Sequence, residues 1–280
     1  MAQTSNQQHR LVIDAENNGL GFKLRELWEY RELLYFLTWR QVIVRYKQTA
    51  VGIAWALIQP IASTIVMTIV FGLILKVDTG DIPYPVFVLS GLIYWRYFSQ
   101  ALTNAGQSLV NNSALVSKVY FPRLIIPISN SLSPIIDFFL SFIVLLGVMI
   151  IFGVTIPVQI LLMPVFAGLA FLTALTVSLW FSAVNVRYRD INHVIPFVLQ
   201  IWMYITPIMY PISVVPEGIA RTLYRLNPMV GVIEGAQWSM IGSSAPDMGI
   251  LALSFIGVVL LLVGGIIFFN RMERSFADFI

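Results

Sequence analysis

Cysteine is absent from this sequence, which excludes disulfides, thiol nucleophiles and thiolate metal sites and leaves the redox compartment open. Charge is scarce as well. Asp, Glu, Lys and Arg together make up 11% of 280 residues, against about a quarter in a soluble domain. There are 2 histidines; His9 and His193 have no partner at metal-ligand spacing and read as polar helix-end residues, so no metal site is expected. No Gly-x-x-x-x-Gly-Lys loop occurs, so the chain does not cradle ATP in the usual way. A nucleophile elbow and a zinc-protease motif are missing too, and an enzyme is not expected. The net charge of +3 is small, and nucleic acid is not an expected partner. The first fifty residues lack a basic start, an apolar core and a small-residue cleavage site, so a cleaved signal peptide is not expected.

What is present is apolar residue, at 58%, gathered into runs of roughly twenty, each long enough to cross about 30 Å of hydrocarbon as a helix. The pattern predicts an all-α membrane protein with six transmembrane spans, near 54–75, 84–109, 124–152, 156–184, 191–212 and 248–269, the fifth broken by Pro196, Pro207 and Pro211. Residues 1–19 are a polar tail rich in Gln and Asn. Residues 20–53 hold an amphipathic helix, from Leu20 to about Trp39, and a lead-in: Leu20, Leu24, Leu27, Trp28, Leu34 and Tyr35 fall near one face, and Lys23, Arg25, Glu26, Glu29 and Glu32 lie mostly elsewhere. That is the signature of a helix lying in the membrane surface. Residues 54–280 form the six-span domain.

Orientation follows from the Lys and Arg of the connections. With the N-terminus in the cytoplasm, the inner side holds Arg10, Lys23, Arg25, Arg31, Arg40, Arg45, Lys47, Lys118, Arg123, Arg187, Arg189, Arg271 and Arg274. The outer side holds Lys76, Arg221 and Arg225. Both termini are then cytoplasmic, as an even number of crossings requires. The outer segment 213–247 is apolar yet interrupted by Asn227 and Pro228. Its stretch 229–241, with Glu234 and Trp238, reads either as short re-entrant helices covered by protein or as a surface loop with an interfacial helix.

Charges inside spans are costly and are functional candidates by default. Arg96 and Asp137 are the two here, with a mutual ion pair as the plain reading. So few acids weigh against ion coupling and for energy supplied by a partner. Trp55, Trp202, Tyr204 and Tyr210 belong either to an interfacial aromatic belt or to a path where sugar rings stack on rigid apolar faces. Two inner loops, 107–123 and 185–191, carry Arg and Tyr suited to anchoring a protein partner.

Three motifs in order then become recognisable: Lys118-Val-Tyr-Phe-Pro-Arg123 after an Asn pair, Asn185-Val-Arg-Tyr-Arg-Asp190, and Asn227-Pro-Met-Val-Gly-Val-Ile-Glu-Gly235. With the Arg-Tyr-Lys, Gly-Ile-Ala-Trp and Gln-Pro run of 40–59, the sequence resembles the polysaccharide-export branch of the ABC-2 permeases over residues 24–280. The resemblance implies a homodimer in a bacterial inner membrane. It implies two copies of a separate ATP-binding subunit that holds ATP and Mg, and a lipid-linked polysaccharide of O-antigen or capsule type as cargo. Teichoic acid, a lipid or a drug is the alternative cargo, and a membrane-embedded transferase the rival from another class. It places Asn111, Lys118, Tyr120, Phe121, Arg123, Arg187, Tyr188, Arg189 and Asp190 at the ATPase. It places Trp55, Gln59, Gln200, Trp202, Tyr204 and Tyr210 on the translocation path. Asn227, Pro228, Glu234 and Trp238 fall at an outer gate. Arg96 departs from the family pattern, where an uncharged residue follows the Tyr-Trp pair.

Overall fold

The structure is a computed structural model and describes residues 26–47, 52, 54–273 and 276. The polar tail and the start of the amphipathic helix lie outside the described residues. What is described is helical, with no strand among the described residues. In order, the helices are α1 (Arg31–Lys47), α2 (Ala54–Met67), α3 (Tyr84–Gly106), the short α4 (Ser108–Asn111) and α5 (Ser113–Lys118), α6 (Ile125–Leu132), α7 (Ile135–Phe152), α8 (Met163–Arg187), α9 (Ile191–Tyr204), α10 (Ile219–Arg225), α11 (Pro228–Ile241) and α12 (Met248–Glu273).

Among the described residues, four helical stretches are long and apolar enough to cross a membrane: Ala54–Ile74, Ile125–Phe152, Val158–Arg187 and Met248–Glu273. These match four of the six expected spans closely. The first continues past α2 as a π-helix, Thr68–Ile74. The second joins α6 to α7 through Ser133 and Pro134, both with helical backbone angles.

The other two expected spans behave differently, for physical reasons. Helix α3 has 23 residues, and 17 of them are buried. It packs on α2, α6, α7, α8, α9 and α11. A helix enclosed by protein on all sides need not be uniformly apolar, which lets it carry Arg96, Gln100 and Asn104. Helix α9 stops at Tyr204 after 14 residues, a rise of about 21 Å, and Pro207 and Pro211 keep the chain from resuming the helix. Pro196 lies inside α9 and does not end it.

The main core centres on α3, with Tyr94, Phe98, Phe138, Ala170, Met229 and Ile233 among its members. A second cluster caps the end where the inner loops meet, joining Leu37 of α1 to Phe121, Ile125, Leu179, Phe269 and Phe276. Helix α1 runs on to Lys47, past the expected end near residue 39. It lies along α6 and buries Leu37 and Val42. Its opposite side leaves Tyr35, Phe36, Trp39 and Ile43 exposed.

Candidate functional site

A cavity of about 340 Å³ opens between α1, α2, α3 and α7, with Trp55, Gln59, Arg96, Gln100 and Asp137 in its wall. Its charges pair otherwise than the sequence suggested. Asp137 is not the partner of Arg96. One carboxylate oxygen accepts from Arg45 and the other from the Tyr46 hydroxyl, because the end of α1 is brought against the first turn of α7. Arg45 Nη1 also reaches Gln100 Oε1 at 3.3 Å. Burial, and then the bond to Asp137, push the Tyr46 phenol well above its usual range, so it remains a donor. Arg96 Nη2 donates instead to Oε1 of Gln59. The wall thus holds two guanidinium groups and one carboxylate.

The unwound stretch after α9 is the second constellation. Residues 206–209 are buried without helical bonding, which membrane depth tolerates only when other protein meets the free backbone groups. Here side chains do so. Tyr210 Oη donates to the carbonyl of Tyr204 at 2.7 Å, and Asn227 Nδ2 to that of Ile205 at 3.3 Å. Gln237 Nε2 reaches the carbonyl of Pro207 at 3.5 Å, and Tyr84 Oη that of Met209 at 2.9 Å.

Helix α11 supplies two of these donors and is itself enclosed, with 12 of 14 residues buried. Asn227 caps it, accepting from the Met229 amide at 3.1 Å and from Trp202 Nε1 at 2.9 Å. Pro228 occupies the first turn, where a missing amide costs nothing. Gly242 ends it at φ 70°, a left-handed conformation that glycine adopts without strain. A Cβ on Gly235 would stand 1.9 Å from Phe166 Cε1, so only glycine allows that approach. Glu234, with its side chain 8% exposed, pairs with Arg225 at 3.1 Å. Trp238 packs against the main core. Within 213–247 the two readings divide: α11 is a short helix covered by protein, whereas α10 buries none of its residues and lies at the surface.

The two inner loops meet at one end of the bundle. Asn185 Nδ2 donates to the carbonyl of Gly106 at 3.2 Å and to Asn192 Oδ1 at 3.0 Å, locking the ends of α3 and α8 to the start of α9. Around this lock Asn111, Lys118, Tyr120, Arg187, Tyr188, Arg189 and Asp190 are exposed. Phe121 and Arg123 turn inward. Phe121 is buried in the second core. Arg123 Nη1 donates to the carbonyl of Glu273 at 2.7 Å, with its guanidinium over the Phe276 ring.

The six path candidates do not converge within one chain. Trp55 and Gln59 face the cavity. Gln200 and Tyr204 are exposed on α9. Trp202 packs edge-on to Phe98, and Tyr210 bonds to Tyr224 at 2.9 Å. Sequence reasoning missed Arg45, Tyr46, Gln100, Gln237 and Tyr84 as site residues. For Gln100 and Gln237 a signal was present, a polar side chain inside an apolar run, whereas Gln59 and Gln200 were placed by the family resemblance.

Comparison with known proteins accords with this arrangement. The family described as ABC-2 type transporter matches residues 32–241. The chain is 30% identical over 253 residues to an O-antigen export system permease protein RfbA of Myxococcus xanthus, covering 90% of this chain and 96% of that one. It is 27% identical to a protein of the same name from Klebsiella pneumoniae, covering 88% and 94%. It is 23% identical to the polysialic acid transport protein KpsM of Escherichia coli, covering 84% and 91%. The matched family region spans every element from α1 through α11, so this multi-pass membrane protein belongs to the ABC-2 type transporter family.

Proposed function

We propose that the protein is the membrane subunit of an ATP-driven exporter that moves lipid-linked polysaccharide, of O-antigen or capsule type, across the bacterial inner membrane. The observation that carries this reading is similarity to export permeases along nine-tenths of the chain. A second copy of the chain completes the path. Helix α2 buries only Pro60 and Thr64, and α9 only Ile195 and Leu199, so both present broad open faces bearing Trp55, Gln200 and Tyr204. Apolar and aromatic faces with scattered amides suit sugar rings, which offer apolar C–H surfaces and hydroxyls.

Energy enters from two copies of a separate ATP-binding subunit, which hold ATP and Mg. They dock on the inner loops through the exposed Tyr120, Tyr188, Arg187 and Arg189, with both termini on the same cytoplasmic side. Closure of the two ATPases pulls on these loops, and the Asn185 lock passes the motion to α3, α8 and α9 together. The aromatic side of α1 lies in the lipid surface, where such residues are favoured. Helix α11, with the Asn227–Trp202 bond and the Glu234–Arg225 pair, closes the outer end.

A transferase on lipid-linked sugars would need a free acid in a cleft. Asp137 and Glu234 are both committed to arginines, which favours transport.

The test is made in a strain lacking this chain, by asking where lipid-linked glycan resides. Accumulation inside the cell, reversed by restoring the gene, is expected. Normal surface glycan with no internal build-up would remove the cargo assignment.

A further inference from the structure

The cavity at α1, α2, α3 and α7 has an unbalanced charge that the export reading does not use. Arg45 and Tyr46 consume both oxygens of Asp137. Arg96, half-buried on α3, has a single side-chain bond, to the neutral Gln59, and no ion pair among the described residues. With two guanidinium groups and one carboxylate in the wall, the cavity carries excess positive charge, which is expensive at this depth, and the cost falls when an anion enters. The wall next to Arg96 supplies what such an anion needs. Oε1 of Gln59 accepts from Arg96, its amide nitrogen remains a donor, and Gln100 lines the same cavity. A planar guanidinium fork matches the tetrahedral oxygens of phosphate, and the charge-assisted bonds are about twice as strong as neutral ones. A volume of about 340 Å³ exceeds what one phosphate fills. Trp55, 54% exposed and in the same wall, offers a face for a ring attached to it.

We infer that this cavity binds a phosphate group, with Arg96 as the cation that holds it, Gln59 and Gln100 as neutral donors, and the Arg45–Asp137–Tyr46 clasp as its fixed back wall. The chemistry belongs equally to a phosphate borne by a lipid and to free phosphate. The lipid-borne source rests on the export reading, since a phosphate that joins sugar to lipid would put the sugar against Trp55.

The test uses the full chain in its complex with the ATPase, in phosphatidylcholine nanodiscs. Two probes are titrated separately, a radiolabelled polyprenyl phosphate incorporated in the disc and labelled inorganic phosphate in solution. The variants are Arg96→Gln, which keeps hydrogen bonding without charge, and Arg96→Lys, which keeps charge without the fork. Each is first shown to be monodisperse with an unchanged thermal midpoint or a higher one. Binding of the polyprenyl phosphate that falls about tenfold or more in Arg96→Gln and less in Arg96→Lys assigns the site to a lipid phosphate. Equal, Arg96-dependent binding of inorganic phosphate assigns the same site to a soluble one. Binding of neither probe, or binding unchanged in Arg96→Gln, overturns the inference. The export reading is untouched by that result, because glycan location in the deletion strain tests it separately.

Discussion

Replacing Asp137 by Asn probes the clasp between α1 and α7. The carboxylate accepts one bond from Arg45 and one from Tyr46. Charge-assisted bonds contribute about 1.5–3 kcal/mol each when protected from water. Protection here is incomplete, since the Arg45 and Asp137 side chains are 31% and 18% exposed, and water compensates part of the loss. We expect a net cost of about 2–3 kcal/mol, which for a chain of this size lowers the thermal midpoint by roughly 3–5 °C. The assay is a double-mutant cycle in nanodiscs, following tryptophan fluorescence through Asp137→Asn, Arg45→Gln and the pair. Removing both charges leaves no orphan, so the double variant should lose at least about 1 kcal/mol less than the two single losses summed. Additivity within about 0.5 kcal/mol would show that the two residues do not interact and refute the clasp.

Three further outcomes are expected. Gly235→Ala drives a methyl into Phe166 and costs about 1–3 kcal/mol, seen as a lowered midpoint that a second change, Phe166→Leu, partly restores. Asn227→Ala removes both the helix cap and the acceptor for Trp202, a loss of about 1–2 kcal/mol, whereas Asn227→Asp keeps the acceptor and loses less; equal losses would exclude the capping role. Tyr120→Ala and Tyr188→Ala alter exposed side chains, so stability stays within about 0.5 kcal/mol while co-purification of the ATPase and glycan export fall. Arg189→Ala behaves as they do, but Arg123→Ala lowers stability first, because its guanidinium holds the end of α12; unchanged export and stability in all four would remove the coupling surface.

Much of the bundle was legible in the sequence because apolar run length is a local property. Residues 54–75 and 124–152 were bounded to within a residue or two by composition alone. The broken fifth span was visible in Pro207 and Pro211. The length of α1 was misjudged because Arg40 and Gln41 interrupt its stripe, although no helix breaker follows before residue 48. The pairing of Asp137 was misread for another reason. Arg96 and Asp137 stood out as charges inside spans, whereas Arg45 looked like an ordinary basic residue ahead of one. Nothing in the linear order says that the end of α1 folds back against the first turn of α7, 92 residues away.

By itself, then, the order of residues determined that this is an all-helical membrane protein and which stretches are apolar, because hydrocarbon imposes a length and a polarity that each segment meets alone. Tertiary structure decided what each polar side chain does. It turned Arg123 inward and left Tyr120 outside. It supplied Asn227, Gln237 and Tyr84 to an unwound backbone that could not otherwise lie buried. It also gave Asp137 to Arg45 and left Arg96 bonded to the neutral Gln59. These assignments depend on which helices share a wall, and that is set by packing around α3 rather than by any residue's neighbours in the chain.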